Sequence, residues 1–206
     1  MMTIAIIFFL FAFIHSVTLT LWFKGICQKL AGDVFMRVWY RFLYNQVSII
    51  TAAAAFYFIK NLPDRIIWVS PLWLKLILHG IQLFGLVFGA LAFRYLDMKE
   101  FLGFRQVWRY LARGEVAGNI EGLTEKGLVT NGVYGIVRHP MYVAGIIFVT
   151  FSPVITVNGM TFTVLADLYF LFGMLIEERR FLKIFGSPYR EYMKQVPRMI
   201  PKWKRG

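Results

Sequence analysis

Five long stretches of the 206-residue chain are almost purely apolar, and polar residues are concentrated between them. Each stretch is apolar on all sides, which is typical of helices that contact both lipid and protein. A helix needs about 20 residues to cross the hydrocarbon core of a bilayer. The pattern therefore predicts an all-α integral membrane protein, a single domain over residues 1–206. The five predicted transmembrane spans are approximately residues 2–23, 42–59, 72–95, 140–157 and 160–176.

The connections between these spans predict how the chain is threaded. The segment SPVITVNGM joins the fourth and fifth spans so closely that they are expected to form an antiparallel helical hairpin. The loops after spans one and three and the C-terminal tail, counting Arg94 at the edge of span three, hold 20 of the 23 Lys and Arg residues. Because basic loops stay in the cytoplasm, the N-terminus is predicted to lie outside, with a basic cytoplasmic segment at the C-terminus.

Composition narrows the possible functions. The chain is 58% hydrophobic and only 17% charged, and its formal net charge is +12. In a soluble protein that charge would suggest nucleic-acid binding, but no zinc-finger, helix-turn-helix or RNA-binding pattern supports this. The single cysteine, Cys27, allows neither an intrachain disulfide nor a thiolate metal cluster. We therefore expect no nucleic-acid partner and no metal.

The stretch GVYGIVRHPMYVAG, residues 132–145, carries charged residues directly ahead of an apolar span. Pro140 suits the first position of a helix, and the residue before a proline avoids the helical region, so His139 should lie just outside. The N-terminus of this helix carries a partial positive charge that favours an anion. Arg138 would add a bidentate donor for the same anion.

Other side chains are predicted to meet this helix start at the cytoplasmic level. Tyr134 and Tyr142 offer aromatic faces, and Glu177 and Glu178 end the returning span. A ligand with a carboxylate, a cation and a flat heterocycle fits this set, and S-adenosylmethionine is such a ligand. The alternatives are interfacial anchoring by the arginine and tyrosines, and neutralising ion pairs within EERR.

His15 lies inside the first predicted span, within FIHSVTLT. Ionisable residues inside a membrane are candidates for function. His15 therefore either lines the pocket of an acceptor substrate or makes a polar contact between helices, which Ser16 and Thr18 beside it would support.

The C-terminal motifs resemble those of the isoprenylcysteine carboxyl methyltransferase and phospholipid methyltransferase superfamily. The similarity covers about residues 126–201 and is carried by KGLVTNGVYGIVRHPMYVAG and EERRFLKIFGSPYREYMKQVPRMIP. In the N-terminal half, FIHS, YRFLYN and YLDMKEFLGFRQ resemble the bacterial methanethiol S-methyltransferase and NnrU-like branch. The resemblance implies an enzyme that transfers a methyl group from S-adenosylmethionine to an acceptor entering from the membrane.

The resemblance also implies site residues. Arg138 and Glu178, with His15 from the first span added on its own grounds, are the predicted catalytic residues. The predicted cofactor-binding residues are Lys126, Gly127, Leu128, Val129, Tyr134, Arg138, His139, Pro140, Met141, Tyr142, Glu177 and Glu178. Which of the two glutamates faces the cofactor is left open.

One departure from the superfamily pattern narrows the choice of methyl acceptor. Prenylcysteine enzymes have a basic residue about one turn before the glutamate pair, whereas this chain has YFLFGMLI. A small or lipophilic thiol is therefore the favoured acceptor, with a phospholipid amine or a prenylcysteine-like carboxylate as the alternative. A non-catalytic membrane protein on the same scaffold is the alternative of another class. The expected location is a bacterial or archaeal inner membrane, with membrane lipid as a partner and the site facing the cytoplasm.

Overall fold

The computed structural model describes residues 1–119 and 127–201. These residues are mostly helical, and two short strands are an exception to the predicted all-α fold. A single 3₁₀ turn over Gly132–Gly135 precedes the seventh helix. In chain order the helices and strands are α1 Met2–Leu19, α2 Leu21–Val38, α3 Tyr40–Lys60, β1 Ile66–Val69, α4 Leu72–Tyr95, α5 Met98–Phe101, α6 Phe104–Arg113, α7 Pro140–Thr150, β2 Val154–Thr156, α8 Val157–Phe185 and α9 Ser187–Gln195.

Four of the described helices are long and apolar enough to cross a membrane, namely α1, α3, α4 and α8. The predicted third span coincides with α4, and the predicted second and fifth spans lie inside α3 and α8. Large apolar side chains on these helices point outward, as Phe9 and Phe84 do with 61% of their surface exposed. Such exposed apolar surface is covered by lipid, so the chain is an integral membrane protein.

Two predicted spans differ from the observed helices. The first predicted span contains the end of α1 and the start of α2, because the Thr20 hydroxyl accepts a hydrogen bond from the Phe23 N–H and so caps a new helix. The predicted fourth span, residues 140–157, is wrong in length because α7 ends at Thr150. An 11-residue helix is about 16 Å long, roughly half a bilayer core. Five spans are therefore not confirmed.

The chain forms two compact units. The N-terminal unit comprises Met2–Pro63 and Leu96–Gly127, and the C-terminal unit comprises Asp64–Tyr95 and Leu128–Gly206 together with Met1. The prediction of a single domain stays a prediction.

In the N-terminal unit, α1 and α3 pack against each other in antiparallel fashion. His15 contacts Ser48, while three residues later on α1 the Thr18 carbonyl accepts a hydrogen bond from Tyr40. Gly103, with φ of +85°, lies against the backbone of α3, where a Cβ atom would be 2.5 Å from the Phe42 nitrogen. Only glycine allows this close approach in a left-handed conformation.

In the C-terminal unit, two glycines let α4 lie directly against α7. A Cβ atom on Gly85 would be 2.8 Å from the Ile147 side chain, and one on Gly89 would be 2.9 Å from the Ala144 Cβ. Small residues four apart are the usual means by which membrane helices approach closely. This contact holds α7 in place although α7 itself is short.

The helices α7 and α8 form the predicted antiparallel hairpin, with a shorter first helix than expected. Thr150 at the end of α7 contacts Asp167, and Arg138 just before α7 contacts Glu178. The partner number on α8 rises as the residue number on α7 falls, which defines the antiparallel direction. The hairpin therefore brings residues 138 and 139 to the second half of α8.

The early end of α7 is stabilised by side chains from its neighbours. The Phe148 carbonyl accepts a hydrogen bond from Gln82 at 2.7 Å, and the Val149 carbonyl accepts one from Thr163 at 3.2 Å. Carbonyls at a helix end have no intrahelical partner and need such donors where water is scarce. The chain then pairs β2 with β1 in antiparallel register before α8 begins.

Candidate active site

The site is built around the first residue of α7. Pro140 occupies the first helical position and is fully buried. His139 precedes it in a non-helical conformation, with φ of −123° and ψ of 61°, as expected for a residue that comes directly before a proline. The N–H groups of the first turn of α7 have no partner within the helix, so this end carries partial positive charge.

Arg138 makes a buried ion pair with Glu178 of α8. Its Nε and Nη2 atoms lie 3.0 and 2.5 Å from Glu178 Oε1, and the two side chains are 7% and 5% exposed. Its Nη1 atom donates to the carbonyls of Met193 and Val196 at 3.1 and 2.5 Å. The guanidinium is therefore engaged on every nitrogen, by one carboxylate and by the C-terminal backbone.

His139 lies between the two glutamates of α8. Its Nε2 atom is 3.3 Å from Glu178 Oε1, and its Nδ1 atom is 3.2 Å from Glu177 Oε2. The imidazole is almost fully buried, whereas the Glu177 side chain is 32% exposed. Glu178 thus points into the protein, and Glu177 points toward the surface.

A layer of tyrosines supports the 3₁₀ turn that leads into this site. The Tyr192 hydroxyl donates to the Tyr134 carbonyl at 2.6 Å, and Tyr189 is buried beside Tyr192. Burial raises the pKa of Tyr192 to about 12 and also raises the pKa values of Tyr134 and Tyr189. Leu128 packs against the same layer, so α9 anchors the segment that precedes α7.

Two residues in the first turn of α7 extend the site along the helix. The Tyr142 ring contacts the His139 ring edge-on, with centroids 5.5 Å apart, and it also contacts Phe170 of α8. Met141 lines an apolar cavity of about 320 Å³ between α4 and α7, together with Phe93 and Phe148. An aromatic face and an apolar cavity therefore adjoin the charged cluster.

The structure places the remaining predicted residues as follows. Lys126 lies outside the described residues. Gly127 belongs to the N-terminal unit, and Val129 is half-buried in the C-terminal unit. His15 belongs to the N-terminal unit, where its ring nitrogens lie 3.0 Å from the Tyr44 hydroxyl and 3.1 Å from the Ser48 hydroxyl. His15 thus makes a polar contact between α1 and α3, which was one of its two predicted roles.

Two residues of interest were not predicted from the sequence. Arg198 contacts Glu178, although sequence reasoning grouped it with the basic tail. Asp167 lies inside α8 and accepts a hydrogen bond from Thr150 at 2.9 Å. A carboxylate within an apolar span is a recognisable signal for Asp167, whereas nothing in the local sequence distinguishes Arg198 from its basic neighbours.

Comparison with known proteins supports the resemblance seen in the motifs. The family model described as phospholipid methyltransferase matches residues 87–188. Residues 138–142 and the glutamate pair of α8 lie inside this match. No solved structure matches the chain.

The similar curated proteins are methyltransferases. Methanethiol S-methyltransferase 1 of Bradyrhizobium diazoefficiens is 32% identical over 52% of this chain, which covers 34% of that protein. Methanethiol S-methyltransferase 2 of the same organism is 24% identical over 94% of this chain and 70% of its own length. Protein-S-isoprenylcysteine O-methyltransferase of Schizosaccharomyces pombe is 34% identical over 36% of this chain and 33% of its own length. The chain spans less than half the length of the first relatives it matches.

Proposed function

We propose that the chain is a membrane methyltransferase of the superfamily that its motifs resemble, and that it transfers a methyl group from S-adenosylmethionine to a thiol. The observation that carries the proposal is the buried cluster of Arg138, His139 and Glu178, with Glu177 beside it, at the start of α7. Buried, paired charges next to an apolar cavity are a common setting of an active site.

The residues present fit the proposed cofactor. The N–H groups of the first turn of α7, which have no partner within the helix, suit its carboxylate, Tyr142 offers an aromatic face, and Glu177 offers an anion for its ammonium group. Both oxygens of Glu178 are occupied by arginines, so Glu177 is the glutamate proposed to face the cofactor. The proposed cofactor-binding residues outside this group are Lys126, Gly127, Leu128, Val129, Tyr134, Pro140 and Met141.

When bound, S-adenosylmethionine supplies a methyl group on a sulfonium that is open to in-line attack by a thiolate. The thiolate would take this methyl group as the carbon–sulfonium bond breaks, which would leave two uncharged thioether sulfurs. The cavity around Met141 is lined by apolar residues, and a dry site would favour such a loss of charge. Arg138 and Glu178 contribute by holding His139 and the helix start in one geometry.

The thiol proton needs an acceptor because the free thiol has a pKa near 8.5. His15 is the proposed acceptor because it is an ionisable side chain inside a membrane-spanning helix, and its imidazole lies within hydrogen-bond distance of Tyr44 and Ser48. We expect His15→Gln to lower the turnover number about 100-fold while donor binding is unchanged. His79→Gln, a change of the same type on α4, is the control. Equal turnover in the two variants would remove His15 from the mechanism.

The thiol acceptor is supported by the names of the relatives and by the apolar turn before Glu177. Residues 169–176 of α8 carry no basic group that could bind an acceptor carboxylate. The apolar cavity beside Met141 suits a lipophilic thiol.

The direct test uses purified protein in lipid nanodiscs with labelled S-adenosylmethionine. Methanethiol, longer alkyl thiols, phosphatidylethanolamine and a prenylcysteine are offered in parallel. Labelled thioether is the expected product. Transfer only to the amine or the carboxylate would overturn the thiol and keep the class of enzyme.

Cofactor binding is tested separately by calorimetry with S-adenosylhomocysteine. Wild-type protein should bind, Glu177→Gln should bind about tenfold more weakly, and Glu191→Gln, a change at an exposed glutamate of α9, should bind normally. Absence of binding by the wild type would favour the non-catalytic membrane protein.

The proposed orientation places the site on the cytoplasmic face of a bacterial or archaeal inner membrane, with the N-terminus outside. It rests on the distribution of Lys and Arg. Single cysteines at Arg65 and Arg190 in a Cys27→Ser background should react with an impermeant thiol reagent from opposite sides. Labelling of both from the same side would contradict this orientation.

A further inference from the structure

The six residues Met193–Arg198, which we call the C-terminal strap, form part of the environment of the helix start. The Arg138 Nη1 atom donates to the strap carbonyls of Met193 and Val196. The Arg138 side chain is only 7% exposed, and these carbonyls accept the hydrogen bonds of its Nη1 atom inside the protein. Both described hydrogen-bond acceptors of the Nη1 atom therefore belong to the strap.

The strap also pairs with the backbone that leads into α7. The Arg138 N–H donates to the Pro197 carbonyl at 2.9 Å, and the His139 N–H donates to the Arg198 carbonyl at 3.3 Å. The two residues that precede Pro140 are therefore positioned by the strap through main-chain hydrogen bonds. A shift of the strap would move both residues together.

Arg198 ties the strap to α8. Its Nε and Nη2 atoms lie 3.1 and 2.6 Å from Glu178 Oε2, the oxygen that Arg138 leaves free. Glu178 is thus held by two arginine forks, one on each oxygen, and forked contacts restrict orientation more than a single ammonium would. The hydrogen bond to Glu178 raises the pKa of Arg198, so its charge is retained.

We propose that Arg198 is a positioning residue of the methyltransferase site, which sets Arg138 and His139 by fastening the strap to Glu178. The proposal rests on the proposed function of that site. In this role Arg198 contacts neither S-adenosylmethionine nor the thiol. It acts through Glu178 and through the two main-chain hydrogen bonds that end on residues 138 and 139.

The structural part of the proposal is tested by hydrogen exchange in the full chain, in detergent or nanodiscs. In Arg198→Ala, the amides of Arg138 and His139 should exchange about tenfold faster than in the wild type, because both N–H groups donate to the strap. A tenfold change corresponds to about 1.4 kcal/mol. Arg190→Ala, which removes the same charge from an exposed position on α9, should leave this exchange unchanged.

The functional part is tested by separating the kinetic constants. Arg198→Ala should raise the KM for S-adenosylmethionine and the Kd for S-adenosylhomocysteine about tenfold, with the KM for the thiol unchanged. Arg198→Lys should restore part of the loss, since an ammonium replaces the charge without the fork. Arg190→Ala should behave as the wild type in both measurements.

The two proposals fail in distinguishable ways. If the amides of residues 138 and 139 exchange hydrogen at the same rate in Arg198→Ala and in the wild type, the strap contact is overturned. Faster exchange with donor affinity within twofold of the wild type overturns the positioning role. Wild-type protein that neither binds S-adenosylhomocysteine nor transfers methyl groups overturns the proposed function, and with it the role of Arg198 in that site.

Discussion

Arg138 and Glu178 lie 40 positions apart in the chain, yet Nη2 of one is 2.5 Å from Oε1 of the other and both side chains are almost fully buried. The antiparallel hairpin of α7 and α8 brings them together. Two buried charges persist only where each has its partner and further hydrogen bonds, which the strap carbonyls and Arg198 supply. This pair therefore links the stability of the C-terminal unit to the geometry of the candidate site.

Glu178→Gln should destabilise the protein strongly. The substitution keeps the shape of the side chain but leaves Arg138 as a buried charge without its anion, which costs about 3–5 kcal/mol. Unfolding in detergent, followed by circular dichroism, measures the loss. Glu177→Gln is the matched control, because Glu177 is partly exposed and touches only His139 among its described partners, and it should cost less than about 1 kcal/mol. Equal losses in the two variants would contradict a buried role for Glu178.

Gly85→Val should force α4 and α7 apart. Its Cβ would lie 2.8 Å from the Ile147 side chain and 3.3 Å from the Ala144 carbonyl, so the helices must separate at a cost of about 1–3 kcal/mol. Gly80→Val places the same side chain on the same helix where nothing lies within 4 Å. The difference between the two unfolding free energies isolates the packing effect. A difference near zero would mean that Gly85 does not set the approach of the helices.

Thr163→Val should weaken the end of α7. The hydroxyl of Thr163 donates to the Val149 carbonyl, and loss of this bond costs about 1 kcal/mol. Thr161→Val removes a hydroxyl that bonds within its own helix, to Val157, and serves as the control. We expect the Phe151 amide to exchange hydrogen faster in Thr163→Val and at the wild-type rate in Thr161→Val. The same exchange in both variants would show that α7 ends independently of α8.

The stabilising effect of Tyr192 should fade in alkaline solution. Burial raises the pKa of Tyr192 to about 12 from the ordinary value of 10.0, so folding favours the neutral phenol. Its contribution is complete below pH 10 and is lost as pH rises toward about 12. At neutral pH, Tyr192→Phe should cost about 1 kcal/mol through the lost hydrogen bond to Tyr134.

The measurement for Tyr192 is the unfolding free energy of the wild type and of Tyr192→Phe at about pH 8 and at about pH 11. The gap between the two proteins should narrow at the higher pH, since only the wild type loses the neutral phenol. A gap of constant size would show that Tyr192 titrates alike in the folded and unfolded chain.

Much of the candidate site could be predicted because its residues carry local signals. Proline after histidine marks a helix start, and the hairpin follows from the short link after α7, so Arg138 and His139 could be placed opposite Glu177 and Glu178. Arg198 could not be placed. Its partner is Glu178, 20 residues away, and the contact depends on how α9 folds back.

Hydrophobic runs and a proline act over a few residues. Local patterns in the chain are therefore enough to predict a membrane protein, the position of α4, and four of the charged or titratable residues around the start of α7, namely Arg138, His139, Glu177 and Glu178. Tertiary structure supports the end of α7 at Thr150, where side chains from α4 and α8 donate to the Phe148 and Val149 carbonyls and Pro153 has no N–H to continue the helix. It also decided that Glu178 is held by two arginines while Glu177 stays partly exposed. The contacts of the two glutamates depend on which helix faces which, and neighbouring residues in the chain carry no record of that.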